Sequence, residues 1–312
     1  MRSELVQSFE SKTPKKQKKM VQELADQKKL SDEIKYLFLH ALHSHDPSIQ
    51  WHAVRGLRNY PEEDNADSLL NCLKHNKSDS IRAIAAETLG RFIYKGFYLL
   101  DLKESLLSKI KKELIACYKN PKEKESVRPN ILRSLSIINN DKEIIKMIET
   151  AYKSNSKKLR LAALFSMGRN RLSRWNSILK SSLEGKNKDL VYAALQGCED
   201  GKLSEMTLLI QNLCLSKDIK TAQLAMRAMW KIDGTTALAV IKENLKSKSK
   251  KIRTTAQRIL DESNKRSDVA KTQETIDFEE DIYLAEPAEI SNEELIPHDD
   301  IMGDHFIEEI NV

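Results

Sequence analysis

Turn-forming residues are scarce in this 312-residue chain, which has nine glycines and seven prolines, under half their share in an average globular protein. That shortage excludes a many-stranded sandwich, whose hairpins need such residues, and a collagen-like repeat. No apolar run exceeds six residues, Leu190 to Leu195, against about twenty for a membrane helix. Cysteine is limited to Cys72, Cys117, Cys198 and Cys214, with no Cys-x-x-Cys pair. Such spacing points to reduced thiols and away from bridges or a zinc knuckle. The polar start Met1-Arg2-Ser3-Glu4 leads into no apolar signal core. A cytoplasmic protein with no membrane partner is therefore expected.

What the chain has in quantity is charge, and it is segregated. Residues 275–312 carry thirteen acidic side chains and no Lys or Arg, so the first 274 residues hold all 52 basic residues against 33 acidic ones. The acidic segment mixes its charge with scattered apolar residues, as in Ile276-Asp277-Phe278 and Ile282-Tyr283-Leu284. Self-repulsion and the lack of a repeating stripe predict disorder there.

The basic part repeats itself. An aliphatic anchor is followed four residues later by a small residue and four further on by Leu or Met, with anchors at Ile49, Ile81, Val127, Leu159, Leu190, Thr221 and Ile252. The middle position holds Ala53, Ala85, Ile131, Ala163, Ala194, Ala225 and Ala256; the last holds Leu57, Leu89, Leu135, Met167, Cys198, Met229 and Leu260. At 100° per residue these positions fall within 80° and form one buried stripe, whose alanines let a partner helix come close. A second amphipathic segment separates successive stripes, at 33–43, 66–74, 104–118, 142–152, 174–183, 204–214 and 236–246. Each unit is a helical hairpin that cannot bury its apolar face alone, so neighbours must stack. The fold class predicted is all-α: an α-solenoid of about seven hairpins over 33–263. A helical cap precedes it at 1–32, an insertion interrupts it at about 92–125, and a disordered acidic tail follows at 264–312.

The stretches Ile81-Arg82 to Gly90, Leu159-Arg160 to Gly168 and Ile252-Arg253 resemble HEAT repeats, in the short form also found in phycobiliprotein-lyase-like proteins. The resemblance spans about 33–262. Gln50, Val191 and Ala222 depart from it where Arg should follow the anchor. It implies that second helices line a concave surface, and that Arg82, Arg128, Arg160 and Arg253 pair with acids of neighbouring repeats. The iron-binding His-Glu dipeptides of the HEAT-built deoxyhypusine hydroxylases are absent from this sequence.

The candidate binding residues follow from the face opposite the stripe. Six residues past the anchor stand Arg55, Arg133, Phe165, Arg227 and Arg258; two past it stand Trp51 and Tyr192. A basic groove studded with aromatics suits phosphates, nucleic acid or an acidic peptide. His40 and His43 lie three apart on one helix but lack the further ligands a metal site needs. No phosphate-binding Gly-rich loop occurs, and Cys198 sits in the buried stripe as a small core filler. No catalytic residue, metal or cofactor is therefore assigned. The function expected is a non-catalytic scaffold holding an acidic or extended protein partner in the basic groove, with the tail as an internal competitor. Nucleic-acid binding through the same groove is one alternative, and a lyase or oxidoreductase activity, by fold analogy alone, is another. The aromatic insertion Tyr94-Lys95-Gly96-Phe97-Tyr98 reads either as a longer helix with an elongated loop or as a partner-binding protrusion.

Overall fold

The structure, a computed structural model, describes residues 4–27, 31–98 and 102–272, with side chains to residue 263. The acidic segment from 275 onward lies outside the described residues. Those described form sixteen α-helices and no strand. They come in pairs: α1 (Glu4–Glu10) with α2 (Pro14–Ala25), α3 (Asp32–Ala41) with α4 (Pro47–Gly56), α5 (Glu63–His75) with α6 (Asp79–Tyr98), and α7 (Glu104–Lys119) with α8 (Arg128–Leu135). Then follow α9 (Lys142–Tyr152) with α10 (Lys157–Asn170), α11 (Asn176–Glu184) with α12 (Lys188–Gly201), α13 (Thr207–Leu213) with α14 (Ile219–Ile232), and α15 (Gly234–Asn244) with α16 (Lys250–Thr272).

The polar breaks in the sequence are helix starts. Asp46, Ser156, Asn187 and Asp218 each accept a first-turn backbone N–H ahead of α4, α10, α12 and α14, the ordinary way to satisfy donors that a helix leaves open. Thr221, which breaks the aliphatic pattern of anchors, is buried and donates its hydroxyl to Asp218 at 2.8 Å. The stripe is buried as expected: Ala53, Ala85, Ala163, Ala194, Ala225 and Ala256 are fully enclosed.

Residues Met1–Ser263 make one compact unit, in two layers. In the even-numbered layer each helix touches the next, from α2 through α14. The odd-numbered layer is looser, with direct neighbours at α1–α3, α5–α7 and α11–α13. The side of the even-numbered helices that faces away from the buried stripe is termed the inner face, after the concave surface that the resemblance implies. The N-terminal stretch, expected to cap the stack with one or two helices, packs onto it as a helix pair, α1 contacting α3 and α2 contacting α4. Its buried Val6, Phe9, Val21 and Ala25 continue the core. At the other end α16 runs on to Thr272, past the Asn264 where the apolar stripe ends.

The arginine after each anchor is structural, but by a different bond from the one the resemblance implies. Arg82 forks onto Glu123 of the next pair's turn, as expected. Arg128, Arg160 and Arg253 instead donate to the backbone carbonyls of Asn120, Ser154 and Ser247. Each therefore satisfies acceptors in the turn just before its own helix.

Candidate functional site

The inner face is built from two positions of the repeat, six and ten residues past the anchor. They stand 40° apart on a helix and both point away from the buried stripe. On α6 they are Glu87 and Arg91; on α10, Phe165 and Arg169; on α14, Arg227 and Lys231. Arg133 fills the first position on α8 and Asp200 the second on α12.

At the centre, Phe165 is held between two guanidinium groups, Arg133 at 4.7 Å and Arg169 at 5.1 Å from its ring centroid. Stacking of this kind fixes a cation over a ring face while leaving its in-plane donors available. Arg169 is paired: it forks onto Asp200, with Nη2 to Oδ1 at 2.9 Å, and donates Nη1 to the Arg133 carbonyl at 3.1 Å. Burial works against the charge of Asp200, yet Arg169 prevails and holds its carboxyl below the usual range.

Arg133 differs. Its Nε is buried without a hydrogen-bond partner, and no carboxylate among the described residues forms an ion pair with it. Burial pushes its pKa below the usual guanidinium range; Glu87 offsets this in part, and the Arg169 charge adds to it. Arginine stays charged regardless. The fold thus partly buries one cation in this face without neutralising it, an arrangement that an incoming anion relieves.

One more element reaches this cluster. Helix α6 has 20 residues against 14 in α10, α12 and α14. All four begin two residues before their anchors, so the surplus overhangs at the C-terminus by about 9 Å. The insertion is therefore, in its first part, a longer second helix. Glu87, Arg91, Tyr94 and Tyr98 are spaced by four, three and four, which continues the inner face along one stripe.

The other predicted residues are spread along the face and held by neighbours. Arg55 stacks at 5.9 Å from the Trp51 ring and pairs with Asp26 at 2.6 Å. Arg227 and Lys231 both bind Glu199, whose side chain is 5% exposed, at 3.0 and 2.9 Å. Tyr192 donates its hydroxyl to Asp218 at 2.7 Å with Lys220 over its ring, at the start of α14. Arg258 is exposed near the end of the described side chains. Of the seven, the fold brings together Arg133 with Phe165 and Arg55 with Trp51.

Sequence reasoning missed Arg169, Asp200, Arg91 and Lys231, and it noticed the tyrosines of α6 without placing them on this face. The signal was available: position ten lies one helical turn beyond position six and repeats as Arg91, Arg169, Asp200 and Lys231. Cys198 is buried, and burial pushes its thiol up to about 12, far from the thiolate a nucleophile requires. Among the described residues no group of three His, Cys, Asp or Glu could hold a metal. His40 lies edge-on to Phe9 and 3.2 Å from Glu10.

Residues 3–90, spanning α1 to α6, match the family model for HEAT repeats, which bears out the resemblance and brings the N-terminal pair within it. Among solved structures, the chain is similar to Escherichia coli YibA at 16% identity, covering 85% of this chain and 94% of that one with a TM-score of 0.43. It is similar to the phycocyanin lyase CpcE–CpcF complex from Nostoc sp. PCC7120 at 16% identity, covering 76% and 96% with a TM-score of 0.42. A third likeness is to Kap95p, described with RanGDP, at 11% identity, covering 81% and 42% with a TM-score of 0.41. No curated protein matches the sequence. A stack of paired helices presents an extended surface and supports a repeat-based protein-interaction role. Among the described residues no helix is long and apolar enough to cross a membrane.

Proposed function

We propose that this HEAT-repeat chain is a non-catalytic scaffold that holds an acidic, extended segment of a protein partner along the inner face of its even-numbered helices. The observation that carries the reading is Arg133, a partly buried guanidinium stacked on Phe165 with no carboxylate partner among the described residues. A carboxylate arriving at the part-exposed end of this side chain supplies a charge-assisted hydrogen bond for which the described residues offer no acceptor. The neighbouring Arg169–Asp200 pair gives the face both signs of charge, which suits a segment of mixed charge better than a uniform polyanion.

Arg133→Gln keeps a side chain of similar reach and removes the charge. It is expected to weaken binding of a labelled glutamate-rich peptide about tenfold, the order of one charged hydrogen bond, with an unchanged melting temperature. Equal affinity in wild type and variant, measured by fluorescence anisotropy, rejects the reading.

The alternative occupant, nucleic acid, gives a different result. Contact with six phosphates makes log K fall against log salt with a slope of about −5. A shallow slope, or failure of the protein to stay on heparin, favours a protein partner.

The acidic segment 275–312 enters this proposal on its charge alone, thirteen acids and no base, as a competitor for the same face. Removing it should tighten binding of the peptide several-fold at low salt, with the gain vanishing as salt screens the charges. Affinity that stays the same at low salt would dismiss the competition while leaving the Arg133 reading intact.

A further inference from the structure

We infer that the overhang of α6 is a second wall of this site, and that it selects acidic segments carrying a large aromatic or aliphatic side chain beside the carboxylate. The inference rests on the proposed reading of the inner face and adds the chemistry of what is recognised there. Phe97 and Tyr98, at the end of α6, are 38% and 41% exposed, and their rings meet edge to face at 5.4 Å. Tyr98 also lies tilted against Tyr94 at 4.8 Å.

The overhang is braced. Phe92 and Ile93 are buried beneath it, and Gly96 lies so close to α7 that a Cβ there would stand 2.4 Å from Leu107 Cδ2. The exposed rings are therefore fixed before any ligand arrives, and rigid aromatic groups lose little conformational entropy on binding.

Electrostatics ties the wall to the arginine cluster. The Tyr94 phenol is pushed up by burial and by Tyr98 and Asp200 near it, while Arg169 and Arg91 pull it down. Tyr98 is likewise close enough to favour the charge on Arg169. One side of the site is thus an unneutralised guanidinium and the other an apolar edge. A segment bearing acids alone satisfies Arg133 and leaves the rings in water; an acid flanked by Phe, Tyr, Ile or Leu uses both surfaces. Glu87 on α6 and Asp200 on α12 discourage a ligand that offers only negative charge.

The test uses the full-length protein and two labelled nine-residue peptides of equal charge. One has the sequence Ile-Asp-Phe-Glu-Glu-Asp-Ile-Tyr-Leu, which stands at 276–284 of this chain; in the other, serine replaces the five apolar and aromatic residues. Any competition from the chain's own acidic segment lowers both affinities alike and cancels in their ratio. The first peptide should bind about tenfold tighter, the order expected for ring contact plus burial. Phe97→Ala with Tyr98→Ala should erase that preference without changing the affinity of the serine peptide, whereas Tyr98→Phe should retain it. Arg133→Gln should weaken both peptides. Equal binding of the two peptides, or a preference that survives loss of both rings, overturns the inference and leaves the Arg133 reading standing. Failure of either peptide to respond to Arg133→Gln overturns the reading itself.

Discussion

Gly168→Ala should lower folding stability by about 3 kcal/mol, the upper range for overpacking, and reduce the denaturant midpoint accordingly. A Cβ on Gly168 would stand 2.3 Å from the carbonyl carbon of Gly197 and 2.6 Å from its oxygen. Both are backbone atoms, so no rotamer change relieves the overlap. Across the same contact, Gly201 would meet the Gly168 carbonyl oxygen at 2.1 Å. Restoring an ordinary carbon–carbon distance requires α10 and α12 to part by about 1 Å. That opens the packing around Ala163, Ala194, Met167 and Cys198, all buried. The gain of about 1 kcal/mol from alanine in a helix is too small to compensate. Gly185→Ala is the control: it lies at the end of α11, exposed, where the nearest atoms to a Cβ begin at 3.2 Å, and should change little. A Gly168→Ala protein that unfolds at the wild-type urea midpoint would show that the two backbones do not touch. The contact also matters functionally, because α10 and α12 carry Phe165, Arg169 and Asp200, and their spacing sets the Arg169–Asp200 fork.

Glu123→Ala should cost about 2–3 kcal/mol, toward the low end for stripping one partner from a buried ion pair. The Arg82 and Glu123 side chains are 13% and 6% exposed, and Arg82 Nη2 reaches Glu123 Oε1 at 2.7 Å. Glu123 also accepts the Cys117 thiol at 3.2 Å and the Lys124 backbone N–H at 2.7 Å. Removing the carboxylate leaves a largely enclosed cation and two donors without their acceptor. The loss stays below the extreme because Arg82 keeps the Asn76 and Lys77 carbonyls. Glu123→Gln, which retains an acceptor but no charge, should lose roughly half as much. Thermal unfolding of the two variants decides it: equal and negligible shifts would mean the bridge contributes nothing to holding the α7–α8 turn against α6. The Glu123 carboxyl already shows the balance of forces, since burial opposes its charge while Arg82 and Cys117 favour it, and its pKa ends below the usual range.

Much of this architecture was legible in the residues. A stripe repeated every 31 or 32 residues, save one interval of 46, and centred on alanine in all but one repeat requires paired helices stacked side by side, since no single hairpin buries its own stripe. The helix starts were marked by Asp46, Ser156, Asn187 and Asp218 for local reasons, and the segments between stripes became α3, α5, α7, α9, α11, α13 and α15 as their periodicity predicts. The N-terminal pair escaped the frame because its thin stripe, Met20, Val21 and Leu24, lacks the central alanine. The resemblance misplaced three of the four arginines because backbone carbonyls in the preceding turn compete with carboxylates, and a sequence shows only the latter.

By itself the sequence determined the face on which the basic and aromatic residues stand, because helical geometry alone sends positions six and ten away from the buried stripe. Only the tertiary structure decided which of those charges are spoken for. Arg55 meets Asp26, Arg169 meets Asp200 and Arg227 meets Glu199 across neighbouring helices, while Arg133 meets a phenylalanine ring. The physical reason is that such pairings depend on the separation and rotation between adjacent repeats, which are set by packing between backbones, as at Gly168 and Gly197, and not by the order of residues along any one helix.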